Sequence, residues 1–352
     1  MADRDLRIAV VGAGMMGSDH IARITRRISG ASVATIVELD AVRANAAAAD
    51  APGAVVRSDI RDSLDHDDLD AVLIATPGSL HEPVLLPCLE AGVAIFCEKP
   101  LTPDSESSLR ILDAEQRLDR PHIQVGFMRR FDAEHVALRE LIASGDLGSL
   151  LLMHCAHRNP STPPSYTESM LITDSVVHEF DSVPWLAGER IVSVEVRQPR
   201  RNSLAPPGLP EPQLVFIELE SGAIAVVEIN VNAQFGYQVT TEAVMERGVV
   251  EIGRTAGLEI RRDARWGGAE HTTFKTRFSA AFDVQIQRWV DAVHRGEIDG
   301  ASAWDGYLAA AACEAGVAAQ RTGQRVEVKT VARPAFYAPQ PPAVGAARAS
   351  LA

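Results

Sequence analysis

The run Leu6-Arg7-Ile8-Ala9-Val10-Val11-Gly12-Ala13-Gly14-Met15-Met16-Gly17 carries an apolar strand directly into a G-x-G-x-x-G turn. A helix-like stretch, Gly17–Ser29, follows. In that context Gly12 permits the tight turn and Gly14 lets a pyrophosphate approach the backbone. Gly17 lets the helix close on the sheet, so its first N–H groups face the phosphates. Met15 and Met16 fill the variable positions and are expected against the same cofactor. The next apolar run ends in Glu38, 21 residues past Gly17, where an acid that binds the ribose hydroxyls belongs. A carboxylate there accepts from both hydroxyls but repels a 2′-phosphate, and no arginine follows at once; Arg43 is the first. NAD is therefore expected over NADP.

Strand-like and helix-like segments alternate through the first 125 residues. The expected strands are Leu6–Val11, Ser32–Glu38, Ala71–Ala75, Ala94–Cys97 and His122–Val125. The expected helices are Gly17–Ser29, Ala41–Ala49, Glu82–Ala91 and Ser105–Leu118. That alternation is the pattern of a parallel α/β sheet. After Gly126 the texture changes. A helix over Asp132–Ser144 precedes strand-like runs at Ser149–His157, Ile191–Arg197, Gln213–Glu220, Ala223–Asn232, Gln238–Glu246, Val249–Ile252 and Leu258–Arg262. Short glycine turns between neighbouring runs read as a largely antiparallel sheet. Helices are expected at Ser175–Leu186, Ala281–His294 and Asp305–Thr322, and the five prolines of Pro199–Pro212 make that stretch a loop. The reading is an α/β fold: an N-terminal Rossmann dinucleotide-binding domain over 1–125, then an α+β domain with a largely antiparallel open sheet over 126–335. A flexible Pro/Ala-rich tail is expected over 336–352.

Composition narrows the class. The chain has 352 residues, 46% hydrophobic and 23% charged, with 34 basic against 47 acidic side chains and a net charge of −13. Such proportions suit a globular protein of two domains. An acidic chain without a basic block is a poor ligand for nucleic acid or an anionic membrane. Four scattered cysteines without a C-x-x-C pair argue against a disulfide scaffold or a zinc site, and fit a reducing compartment. With no leader-like N-terminus and no apolar run of spanning length, the protein is expected in the cytoplasm.

Three places could carry chemistry. Glu98-Lys99-Pro100 ends a strand at the edge where open α/β sheets bind ligands, so Lys99 is either a surface lysine or one that reaches the crevice. Asp174 and His178 stand four apart. They are either a carboxylate orienting an imidazole base, or a helix cap followed by a half-buried helix residue. His154 and His157 flank Cys155-Ala156, but strand alternation points them to opposite faces, and no metal is expected.

The Gly-rich turn, Glu98-Lys99-Pro100 and Asp174-x-x-x-His178 together resemble the glucose–fructose oxidoreductase/inositol dehydrogenase family. The strings Phe96–Leu101, Gln124–Arg130, Cys155–Pro160, Val177–Glu179 and Ala303–Tyr307 resemble its inositol dehydrogenase members, from about residue 6 to about residue 330. The resemblance implies catalytic roles for Lys99, Asp174 and His178, with His178 as general base in NAD-dependent oxidation of a ring hydroxyl to a ketone. It implies cofactor contacts at Gly12, Gly14, Met15, Met16, Gly17, Glu38, Thr76, Glu98 and Lys99. A cyclitol or sugar pocket would be lined by Met128, Arg129, His157, Asn159, Asp174, Ser175, His178 and Tyr237. It further implies a homotetramer joined through the open sheet. Myo-inositol is the expected substrate, with scyllo-inositol, another cyclitol or a pyranose as the alternative. A non-catalytic NAD-binding sensor is the reading from another class, and the intact Lys99, Asp174 and His178 set counts against it. Ser175 stands where threonine is common, and Glu38 where aspartate is.

Overall fold

The structure is a computed structural model and describes residues 4–338, apart from 255, 256 and 258. The first sheet contains β1 (Leu6–Val11), β2 (Ala31–Val37), β3 (Val55–Arg57), β4 (Ala71–Ile74), β5 (Ala94–Cys97) and β6 (Ile123–Val125), all parallel. Their order across the sheet is β6-β5-β4-β1-β2-β3. The helices between them are α1 (Met15–Arg27), α2 (Ala41–Asp50), α3 (Ile60–His66), α4 (His81–Glu90) and α5 (Ser105–Glu115). From β1 the chain winds outward in one direction through β2 and β3, then returns to β4 on the other side. The carboxyl ends of β1 and β4 therefore flank a crevice of the kind in which such sheets bind ligands.

The second layer begins with α6 (Ala133–Ser144), β7 (Leu150–Arg158) and α7 (Glu168–Met170). A π-helical turn, Leu171–Val176, leads into α8 (Val177–Ala187). Then come β8 (Ile191–Arg197), β9 (Gln213–Leu219), β10 (Ile224–Asn230), β11 (Gln238–Met245) and β12 (Gly248–Ile252), and an exposed hairpin of β13 (Ile260–Arg262) and β14 (Arg265–Gly267). The chain continues through α9 (Phe274–Arg277), α10 (Ser279–Arg295), β15 (Ala301–Ser302), α11 (Ala303–Thr322) and β16 (Val326–Glu327). The large sheet runs β12-β11-β7-β10-β9-β8-β16; β7 and β10 pair in parallel and its other pairs are antiparallel. On β7, His157, Cys155 and Met153 point inward while His154 is exposed, as a period of two requires. Both expected layers are present, and Pro199–Pro212 forms no strand.

Four features differ from the sequence reading. The first is the pair β3 and α3, which fills a gap left between Ala49 and Ala71. A three-residue edge strand and a seven-residue helix with two buried positions leave too short a pattern to recognise. The second is the segment 279–302, expected in the second domain, which returns to the first. Ile286, Trp289 and Val290 of α10 join the core with Leu6, Ile8 and Phe96, and β15 adds an antiparallel edge beside β6. The apolar stripe of α10 was legible, but a stripe does not say which sheet it covers. Third, the tail expected from 336 begins in packed structure, since Tyr337 is buried and its hydroxyl bonds Glu115 Oε2 at 2.5 Å. The rest of that tail, from 339, and Leu258 of the expected Leu258–Arg262 strand lie outside the described residues. Fourth, the helix expected from Ser175 starts instead in the π-helical turn, where Asp174 and Ser175 sit. Single π turns of this kind concentrate at functional sites. Among the described residues no helix is long and apolar enough to cross a membrane.

Candidate active site

The Gly-rich turn has the geometry its sequence implies. Gly12 adopts φ +89°, a left-handed conformation that side chains resist. Gly14 caps α1 with open space where a Cβ would stand, leaving the backbone free for close approach. A Cβ on Gly17 would lie 1.8 Å from the Gly12 carbonyl oxygen. Gly17→Ala is therefore expected to cost about 1–3 kcal/mol through forced backbone movement. Thermal denaturation and NAD titration would show a lower Tm and weaker binding together.

Glu38 lies at the mouth of this turn. Its Oε2 accepts from Ala13 N at 2.9 Å, and its Oε1 from Asp40 N and Arg43 Nη2, each at 2.9 Å. The Arg43 hydrogen bond, with the two backbone donors, outweighs burial and lowers the carboxyl to about 2. A fixed anion thus stands where a 2′-phosphate would have to enter. Glu38→Ser removes that anion and leaves the Arg43 guanidinium only its looser pairing with Asp40 at 3.5 Å. The expected kcat/KM for NAD falls about tenfold to a hundredfold, the worth of one charge-assisted hydrogen bond. Turnover with NADP rises; parallel assays with the two cofactors measure both.

Across the crevice, Thr76 follows β4, and its Oγ1 is buried without a partner among the described residues. Glu98, expected beside the cofactor, is turned inward. Its Oε1 meets His20 Nε2 of α1 at 2.7 Å, and its Oε2 accepts Lys99 N at 3.2 Å. At 7% exposed, it braces the turn that carries Lys99. The open backbone at Gly14, the uncapped first turn of α1, the Glu38 carboxylate and the orphaned Thr76 hydroxyl suit a dinucleotide: donors for phosphates, an acceptor for ribose and a polar group at the crevice.

Lys99 reaches from the end of β5 to the π-helical turn. Its Nζ donates to Asp174 Oδ1 at 2.8 Å and to the Asp174 carbonyl oxygen at 3.0 Å. The structure therefore joins Lys99 to Asp174, whereas the sequence reading joined Asp174 to His178. The π turn leaves the Asp174 carboxylate facing Lys99, and His178 Nδ1 is buried without a partner among the described residues. The His178 ring lies against Phe127 and His157, at centroid distances of 6.5 and 6.1 Å. Burial, with Lys99, Arg129 and His157 nearby, holds this imidazole well below its usual pKa. It stands as a neutral acceptor, the state a general base needs.

The expected pocket residues lie at two depths. Lys99, Asp174, His178 and Asn159 keep part of their surface, and Asn159 Oδ1 lacks a partner among the described residues. Met128, Arg129, His157, Ser175 and Tyr237 are buried. Ser175 Oγ shares a 2.7 Å hydrogen bond with the Tyr166 hydroxyl, and Tyr237 packs edge-on to His157. Met128 and Tyr237 join an apolar cluster with Phe278 and Phe282, against which Met16 of the Gly-rich turn packs, so the nucleotide turn and the substrate side share a wall. Arg129 is 2% exposed and donates through Nη1 to Glu179 Oε1 at 2.5 Å. Sequence reasoning assigned nothing to Tyr166 or Glu179. Glu179 stood in plain view beside His178, but one helix step does not reveal that it points inward.

A dinucleotide crevice facing a lysine, a carboxylate and a neutral imidazole defines a two-domain NAD-binding oxidoreductase. Residues 6–127 match the model of the oxidoreductase family with an NAD-binding Rossmann fold, and residues 135–251 match the GFO/IDH/MocA C-terminal domain. The chain belongs to the GFO/IDH/MocA family. It is 60% identical over 336 residues to an inositol 2-dehydrogenase of Corynebacterium glutamicum, covering 95% of this chain and 99% of that one. An inositol 2-dehydrogenase of Leifsonia xyli is 60% identical over 335 residues, covering 95% and 98%. Among solved structures, myo-inositol dehydrogenase from Lactobacillus casei, in complex with NAD(H) and myo-inositol, superposes with a TM-score of 0.91 at 34% identity, covering 95% and 99%. The scyllo-inositol dehydrogenase of the same organism, with NAD(H) and scyllo-inositol, gives 0.84 at 25% identity, covering 92% and 99%.

Proposed function

We propose that the protein is an NAD-dependent inositol 2-dehydrogenase, oxidising a ring hydroxyl of myo-inositol to the keto-inositol. The observation that carries this reading is the Lys99–Asp174 pair set beside a neutral His178 at the mouth of the dinucleotide crevice. The 60% identity to inositol 2-dehydrogenases over nearly the whole chain supports the substrate.

Gly12, Gly14 and Gly17 open the backbone to the pyrophosphate, Glu38 takes the ribose, and Thr76 lies at the crevice. NAD, when bound there, supplies the acceptor for the hydride that leaves the ring carbon. His178 takes the hydroxyl proton. Lys99, held by Asp174, donates to the reacting oxygen and stabilises its negative charge as the proton leaves. Asn159, His157 and Tyr237 contact the remaining hydroxyls, since a ring of hydroxyls needs donors and acceptors converging from several sides.

The homotetramer belongs to the same proposal. The outward face of the large sheet carries a row of Val244, Leu152 and Ile224 across β11, β7 and β10, and Ile224 is 40% exposed. An apolar sheet face of this kind suits burial against another copy.

The test is NADH production with purified protein against myo-inositol, scyllo-inositol and glucose. Preference for myo-inositol with NAD is expected. Turnover of only scyllo-inositol or glucose would move the substrate to the alternative, and absence of turnover on the whole panel would contradict the reading.

A further inference from the structure

Beneath the pocket lies a charge that the catalytic scheme does not use. Glu179, the first residue after His178, is 1% exposed, and both carboxylate oxygens are committed. Oε1 accepts from Arg129 Nη1 at 2.5 Å, and Oε2 lies 3.2 Å from His157 Nδ1. Burial opposes the charge, yet Arg129 and His157 overcome it and lower this carboxyl to about 2. It is a permanent buried anion.

His157 Nδ1 also lies 3.3 Å from Arg129 Nη2, so one ring nitrogen faces both a donor and an acceptor. The acceptor has the stronger claim. Arg129 already donates to Glu179 through Nη1, and its Nε is left without a partner among the described residues, so this guanidinium already tolerates an unmet N–H. Among the described residues Glu179 Oε2 has no other donor, and an ionised oxygen left unpaired in a buried site costs more than an unmet N–H of a cation already paired. The proton therefore sits on Nδ1 and donates to Glu179, which leaves Nε2 with a lone pair to offer.

We propose that Glu179 is a positioning residue that fixes the His157 tautomer, so that His157 accepts from one ring hydroxyl and the site demands a donating group at that position. This rests on the cyclitol reading above and adds a rule to it: at one ring position besides the oxidised carbon, a group that only accepts cannot replace hydroxyl.

Singly deoxygenated and singly fluorinated inositols test the rule, because fluorine accepts weakly and never donates. In the wild-type enzyme, one position other than the oxidised carbon is expected to lose about tenfold or more in kcat/KM with either replacement, expressed in KM, as loss of one hydrogen bond to the substrate predicts. In Glu179→Gln the side-chain amide donates to Nδ1 and moves the ring proton to Nε2. The fluorinated substrate should then outperform the deoxygenated one at that same position. Fluorine accepted in place of every non-reacting hydroxyl by the wild type overturns the proposal, as does an unchanged preference in Glu179→Gln. Should that variant not fold, His157→Ala replaces it: fluorine and hydroxyl must then become equivalent at that position, and a persisting difference overturns the proposal. A wild type that oxidises no inositol would instead overturn the functional reading itself, and this inference with it.

Discussion

Replacing His178 with alanine is expected to lower kcat by roughly 10²–10⁴-fold, the usual worth of a positioned general base. NADH binding should remain close to wild type. His178 is the imidazole at the centre of the site, held neutral by burial and by the charges of Lys99 and Arg129. Its ring packs against Phe127 and His157, so a fall in turnover with retained NADH fluorescence separates chemistry from binding. A variant with near-wild-type kcat would remove His178 from the role of base. The cost to the fold should be modest, because the ring makes no hydrogen bond among the described residues that its removal would orphan.

Lys99→Met is the second large effect. The substitution keeps the aliphatic stem and removes the ammonium that donates to the Asp174 side chain and carbonyl at 2.8 and 3.0 Å. Loss of a donor to the developing alkoxide should reduce kcat by about 10²–10³-fold, the scale measured for a single oxyanion donor. It should also move the pH profile. The Lys99 cation disfavours the protonated form of His178 and so lowers its pKa. Removing that cation raises the pKa, so the base form is reached only at higher pH, and the acid limb of kcat moves upward. A loss of rate with an unmoved limb would mean that Lys99 does not act on the imidazole electrostatically.

Much of this was legible in the chain. The strand running into Gly12, the position of Glu38 and the alternation of five strands and four helices announced the first domain, because a parallel sheet buried on both faces writes itself as short apolar runs. The antiparallel layer was equally plain from its alternating runs and glycine turns. Pairing was harder to read. Asp174 and His178 have helical spacing, yet the π turn directs the carboxylate to Lys99, 75 residues away. Local spacing carries no information about a partner that distant. Glu98 likewise belongs to a strand end that faces ligand, but its carboxylate finds His20 of α1. Glu179 shows the same limit from the other side. It sits in one of the strings that carry the family resemblance, and only its contacts with Arg129 and His157 reveal what it holds.

In the proposed mechanism, hydride leaves a cyclitol ring carbon while His178 takes the proton from its oxygen. Myo-inositol deuterated at C2, incubated with wild-type protein and NAD, tests it in one step. The prediction is one deuterium in the nicotinamide ring of the reduced cofactor, a keto-inositol free of label, and almost no product from His178→Ala over the same interval. Reduced cofactor without deuterium, or equal product from the variant, would contradict it.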